Sequence, residues 1–128
     1  MILLDENVNQ SQLLLLRSWR VRARLIGQDF SRKGVQDEQI VPLLLELSRP
    51  TFFTRDLGFY DRKLCHGRYC IVVLAVHRYE VAMFVRRFLK HPSFRTWAKR
   101  VGKVARISSA GIQLWQLRSS REHHEKWS

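Results

Sequence analysis

The side chains able to do chemistry fall in a few short stretches. Asp5-Glu6-Asn7 follows the apolar run Met1-Ile2-Leu3-Leu4, and Asp37-Glu38 opens a second apolar pattern. Thr54-Arg55-Asp56 follows Thr51-Phe52-Phe53, and Asp61-Arg62-Lys63 comes soon after. Carboxylates are hard oxygen donors, so a pocket that gathers several of them suits Mg²⁺ or Mn²⁺. Such an ion activates water and stabilises the charge that develops on a phosphodiester. Arg55, Arg62, Lys63 and Arg68 flank these acids and could hold phosphates as forks or point charges. Each aspartate alone has an ordinary explanation as a helix cap, a turn former or an exposed charge. The chemical reading needs a fold that brings them to one place.

The elements that would do so can be read from pattern. Met1 to Leu4 is an unbroken apolar run of strand length, the type buried on both faces of a parallel sheet. Val8 to Trp19 reads as a first helix, with Asn7 or Asn9 as its cap and Asn7 the candidate of interest. Val21, Ala23 and Leu25 alternate with arginines, which predicts a half-exposed strand toward an edge. Gly27 to Gly34 is a polar loop. Asp37, a plausible N-cap, starts a second helix through Leu47. Pro42 allows two versions: a distorted first turn, or a separate turn with Pro42 as the first helical residue. Thr51 to Thr54 is the third strand, Leu57 to Arg68 a loop or helical turn, and Ile71 to Val76 the best central strand after the first. Val81, Phe84, Val85, Phe88 and Leu89 mark an amphipathic helix that His91-Pro92 ends, and Phe94 to Arg100 adds a short one. Lys103 to Ile107 and Ile112 to Leu117 form a closing hairpin.

Alternating strands and helices predict a mostly parallel sheet with right-handed crossovers, so the parallel strands all finish on one edge. Asp5, Asp37 or Glu38, and Asp56 would then converge there. Residues 1–118 read as one domain, and residues 119–128 as a charged, frayed, disordered tail.

Composition narrows the classes. The 128 residues include no apolar run near the ~20 needed to span a bilayer, and the start of the chain lacks the basic segment of a secretory signal. Cys65 and Cys70 show neither zinc spacing nor a CxxC pair, which fits a reducing, cytoplasmic setting. The net charge of +12 is uneven: residues 1–80 hold 12 basic and 9 acidic side chains (+3), residues 81–128 hold 11 and 2 (+9). A basic half of this kind suits a polyanion, either nucleic acid or an acidic protein partner, or is simply a solvated face. Phe94, Trp97 and Trp115 lie among basic residues and could stack on bases, although core positions are the ordinary fate of Phe94 and Trp115.

The ordered set Leu3-Leu4-Asp5-Glu6-Asn7-Val8, Asp37-Glu38-Gln39-Ile40 and Thr54-Arg55-Asp56-Leu57-Gly58-Phe59 resembles the small PIN-like proteins of prokaryotes, and the pattern from Gly102 to Leu117 resembles that group's closing strands. The resemblance covers residues 1 to about 117. It implies an α/β, PIN-like three-layer sandwich with helices on both faces of a mostly parallel sheet, and a Mg²⁺- or Mn²⁺-dependent ribonuclease. It also implies a toxin role with an acidic antitoxin, and is compatible with a homodimer. Residue by residue, Asp5, Asp37 and Asp56 match the acid positions, with Glu38 the alternative to Asp37. Asn7, Thr54, Arg55, Arg62 and Lys63 would contact substrate or hold the loop. One position departs: the second acid of the Thr-x-Asp-x-Asp-Phe segment is Gly58 here, with Asp61 the candidate to compensate.

Two other readings stand beside this one. A non-catalytic PIN-like binder would follow if Gly58 has cost the metal. A phosphoacceptor receiver module also pairs acids after strand one with an Asp after strand three. It requires Ser or Thr ending strand four and Lys ending strand five, where this chain has Val76-His77 and Ile107-Ser108.

Overall fold

A computed structural model of the chain describes residues 1–27 and 38–128, and residue 37 in its backbone alone. Seven strands form one sheet: β1 (Ile2–Leu4), β2 (Ala23–Leu25), β3 (Thr51–Thr54), β4 (Cys70–Leu74), β5 (Lys103–Ser108), β6 (Gly111–Gln116) and β7 (His123–Glu125). Their order across the sheet is β2-β1-β3-β4-β5-β6-β7. The first five run parallel, and β6 and β7 are antiparallel additions at one side. Helices α1 (Gln10–Ser18), α2 (Asp37–Glu46), α3 (Val81–Lys90) and α4 (Trp97–Arg100) complete the described α/β architecture.

Period-two alternation along the strands sorts the core into two clusters. Leu4, Phe53, Val72, Leu74, Ala105 and Ile107 point to the face covered by α1 and α3, where they meet Leu13, Leu16, Phe84, Val85 and Phe88. Leu3, Phe52, Ile71, Val73 and Val104 point the other way, toward Ile40 and Leu44 of α2 and Phe59. Phe52 and Phe53, neighbours in β3, are each fully buried on opposite faces. Burial of each is worth roughly 2–3 kcal/mol, so a sheet covered on both sides fixes its strands even where they are three or four residues long.

Local rules set the helix ends. Asn9, not Asn7, caps α1: its Oδ1 accepts from Ser11 N–H at 2.9 Å. The end of α1 carries no glycine, yet Val21 N–H bonds Leu16 O (3.0 Å) and Arg20 N–H bonds Arg17 O (3.0 Å), with Arg20 at φ 65°. That pairing is a Schellman end with arginine at the left-handed position. Pro42 lies inside α2 rather than at its start. The bond it cannot donate is the one to the carbonyl of exposed Glu38, where water can substitute.

The expected hairpin is present as β5 and β6, paired from Lys103↔Gln116 to Ser108↔Gly111. The expected frayed tail is not. His123–Glu125 adds to β6 as β7, Trp127 Nε1–H donates to Ser108 O at 2.6 Å, and His91 Nε2 pairs with Lys126 O at 2.6 Å. Backbone pairing and the partly buried Trp127 ring hold a segment whose charged composition alone suggests fraying. The loop expected at Gly27 to Gly34 lies, from Gln28 onward, outside the described residues. Among the described residues no helix is long and apolar enough to cross a membrane.

Candidate active site

The strand order reverses between β1 and β3. The chain leaves β1 toward β2 on one side, then crosses back to place β3 on the other. At such a switch point the loops after neighbouring strands diverge and leave a crevice outside their carboxyl ends. Asp5 follows β1 and Asp56 follows β3, so both enter that crevice. They line one cavity of about 300 Å³ with Asn7, Val8 and Arg55.

Thr54 ties the two loops together. It is fully buried, and its Oγ1 donates to Asp5 Oδ2 at 2.7 Å while accepting from Asp56 N–H at 3.0 Å. Asp5 N–H extends the ladder to Phe53 O (2.9 Å), so the carboxylate leaves a rigid strand end. Asp56 caps its own turn, Leu57–Phe59, by accepting at Oδ1 from Gly58 N–H at 2.9 Å. A Cβ at residue 58 would lie 3.1 Å from that oxygen, so glycine leaves room for the capped carboxylate.

Burial pushes the Asp5 carboxyl above its ordinary range. The hydrogen bonds from Thr54 and the Glu6 backbone oppose this, while the charges of Glu6 and Asp56 add to it. A partly desolvated carboxylate beside two others is in a field that favours a cation. The donor set fits Mg²⁺ or Mn²⁺, since octahedral Mg²⁺ commonly uses one or two protein carboxylates and completes its shell from water or substrate. Asp5 and Asp56 are the residues that would hold it. Among the described residues no group of three or more His, Cys, Asp or Glu side chains gathers as a metal site.

The remaining candidates sit as follows. Asn7 is exposed at the cavity and is not the helix cap. Glu38 is exposed in the first turn of α2, and the side chain of Asp37 lies outside the described residues. Asp61 caps the turn Arg62–Leu64 by accepting from Lys63 N–H at 2.9 Å, and does not line the Asp5–Asp56 cavity. Arg55 lines the cavity, and its Nε–H donates to Val76 O at 3.1 Å, which fixes the guanidinium stem across the loops after β3 and β4. Arg62 and Lys63 are exposed; Arg62 lies 6.0 Å from the centroid of half-buried Trp115. Phe94 is core, stacked on Phe88 at 4.5 Å, and Trp97 is partly buried. Cys70 is fully buried and its thiol is pushed up to about 12, which leaves it unreactive.

Two features have no signal in the sequence pattern. A second cavity of about 450 Å³ adjoins the first across Arg55, lined in part by His77, Glu80 and Ser109. Tyr60 donates to Glu122 Oε2 at 2.6 Å, joining the turn after β3 to the C-terminal segment across 62 positions. His77 and Glu80 bracket the turn Arg78–Glu80: His77 Nδ1 accepts from Tyr79 N–H at 3.2 Å and Glu80 Oε1 accepts from His77 N–H at 3.2 Å, a capping pattern with histidine in the cap position. Comparison of the chain with family models, with curated proteins and with solved structures gives no match.

Proposed function

We propose that this chain is a metal-dependent endoribonuclease with a PIN-like three-layer sandwich fold. The observation that carries the reading is the meeting of Asp5 and Asp56 in one cavity at the switch point of the sheet. The net charge of +12 supports a polyanionic substrate. Asp5 and Asp56 hold the cation, which when bound supplies Lewis acidity toward a phosphate oxygen. Thr54 orients the Asp5 carboxyl and anchors the backbone of the Asp56 loop through its two hydrogen bonds, so the two loops are set before the cation enters. Arg55, at the mouth and pinned by Val76 O, holds the phosphate that precedes or follows the scissile one. Asp37 or Glu38 is the third acid of this reading, and Asn7 a polar contact at the cavity.

Asp5→Asn and Asp56→Asn each keep shape and remove the charge. Cleavage of a labelled single-stranded RNA in Mn²⁺ should fall by at least about 10²-fold in each, with far-UV circular dichroism unchanged. Cleavage that persists in either variant, or in EDTA, refutes the assignment.

One observation favours a second reading, a PIN-like module that binds without cutting. Asp56 Oδ1 is already engaged by Gly58 N–H, at the position where the resembling segment carries a second acid. Calorimetric titration with Mn²⁺, with Asp56→Ala as control, separates the two. Heat that disappears in the control supports the nuclease, and RNA binding without any Mn²⁺ heat supports the binder.

A further inference from the structure

The outer sides of α1 and α3 leave a groove that the proposed site does not use. On α3, Met83, Arg86, Arg87 and Lys90 line it. Their spacing of i, i+3, i+4, i+7 makes them a single stripe along the helix, on the side away from buried Val81, Val85 and Phe88. Leu15 of α1 and Trp19, the residue just past its end, also line the groove. The groove has a volume of about 660 Å³, and Trp127 joins these residues in its lining.

Its surface is apolar and cationic at once. Leu15 is 38% exposed and Met83 43%, and Leu14 beside them is 55% exposed. The Arg86 guanidinium carbon lies over the Trp19 ring, 4.6 Å from its centroid, and that of Arg87 lies over Trp127 at 4.3 Å. A guanidinium held over an indole loses little freedom when it pairs with a carboxylate. Among the described residues that line the groove, three are cations and none is an acid.

We infer that this groove docks an amphipathic helix of a partner protein, one that seats an apolar stripe between α1 and α3 and sets carboxylates against Arg86, Arg87 and Lys90. A groove lined from two neighbouring helices is what a third helix packs into, with anchors at i, i+3 and i+4. The Met83 thioether in the lining adapts to different apolar anchors. A second copy of this chain is disfavoured, because face-to-face pairing would bring the same three cations together. RNA is disfavoured because exposed Leu15, Met83 and Pro92 share the lining with the three cations, and aliphatic surface of that kind gives a phosphate backbone nothing to bind. The surface lies on the α1–α3 face, so the inference does not depend on the nuclease reading.

The test uses the full chain and two synthetic helices of roughly 15 residues. One carries leucines at i, i+3, i+4, i+7 flanked by glutamates; its twin has lysines in place of the glutamates. With ¹³C-methyl methionine the protein shows only Met1 and Met83, so the Met83 signal reports the groove directly. The acidic helix should shift Met83 saturably and bind at least about tenfold tighter than its twin, the size of one good charge pairing. Met83→Glu and Lys90→Glu, both at exposed positions that leave the fold intact, should each weaken it by about the same factor. Equal binding of the twins, a shift confined to Met1, or no binding overturns the inference. So does a Met83 shift with oligouridylate stronger than with the acidic helix, or self-association in sedimentation that Met83→Glu abolishes.

Discussion

Thr54→Val isolates the hydroxyl that joins the two acidic loops. Valine keeps the volume and the β-branch of threonine, so the buried strand end is undisturbed sterically. What disappears is the bond to Asp5 Oδ2 (2.7 Å) and the bond from Asp56 N–H (3.0 Å). A bond to a charged group is worth about 1.5–3 kcal/mol and a neutral one about 1. Asp56 is exposed, so water can take over its N–H and the second loss shrinks toward zero. The expected loss of stability is therefore about 2 kcal/mol, a drop of roughly 8 °C in melting temperature for a chain of this size. The Thr54 bond also holds the Asp5 pKa down against burial, so its removal raises that pKa further. Urea denaturation measures the first effect and ¹³C titration of the Asp5 carboxyl the second. Thr54→Ser, which keeps the hydroxyl, should reproduce the wild-type Asp5 pKa. A Thr54→Val protein within about 0.5 kcal/mol of wild type, or with an unchanged Asp5 pKa, would show that the bridge has no part in shaping the site.

Three further outcomes are expected. Because the Asp5 pKa is raised on folding, the folded state binds the proton more tightly than the unfolded chain; stability contributed by this group is present below its unfolded value and is lost as pH rises through its raised folded value. Asp5→Asn should remove that slope in metal-free urea titrations, and a slope unchanged by the substitution contradicts the cause given. Asn9→Ala should cost about 1 kcal/mol as the loss of a helix cap, while Asn7→Ala stays within about 0.5 kcal/mol, both read by thermal denaturation. Trp127→Ala removes the bond to Ser108 O and the contacts with Phe84 and Arg87, and should cost about 2 kcal/mol; a melting temperature equal to wild type would return residues 119–128 to the status of a loose tail.

Much of this molecule is legible in one dimension. Apolar runs at Ile2–Leu4 and Cys70–Leu74, and the Phe52–Phe53 pair between β-branched threonines in β3, announce strands because a parallel sheet buries both faces and leaves no room for polar alternation. The 3.6-residue period from Val81 to Phe88 announces α3, and the alternation around Ala23 and Leu25 places β2 at an edge, where it lies. The meeting of Asp5 with Asp56 follows from strand direction, which alternating strands and helices already dictate. What pattern could not supply depends on partners far along the chain. Asn9 rather than Asn7 caps α1 because only the folded loop decides which amide faces Ser11 N–H. Residues 123–125 become a strand because β6 offers an unpaired edge and Trp127 finds Phe84, neither of which a charged local composition encodes. The groove between α1 and α3 likewise exists only once two helices, each ordinary alone, are set side by side on one face of the sheet. Local chemistry determined the elements and the acids at their ends; tertiary packing decided which amides, tails and helix faces were given a partner, because those choices rest on contacts between residues that sequence separation keeps apart.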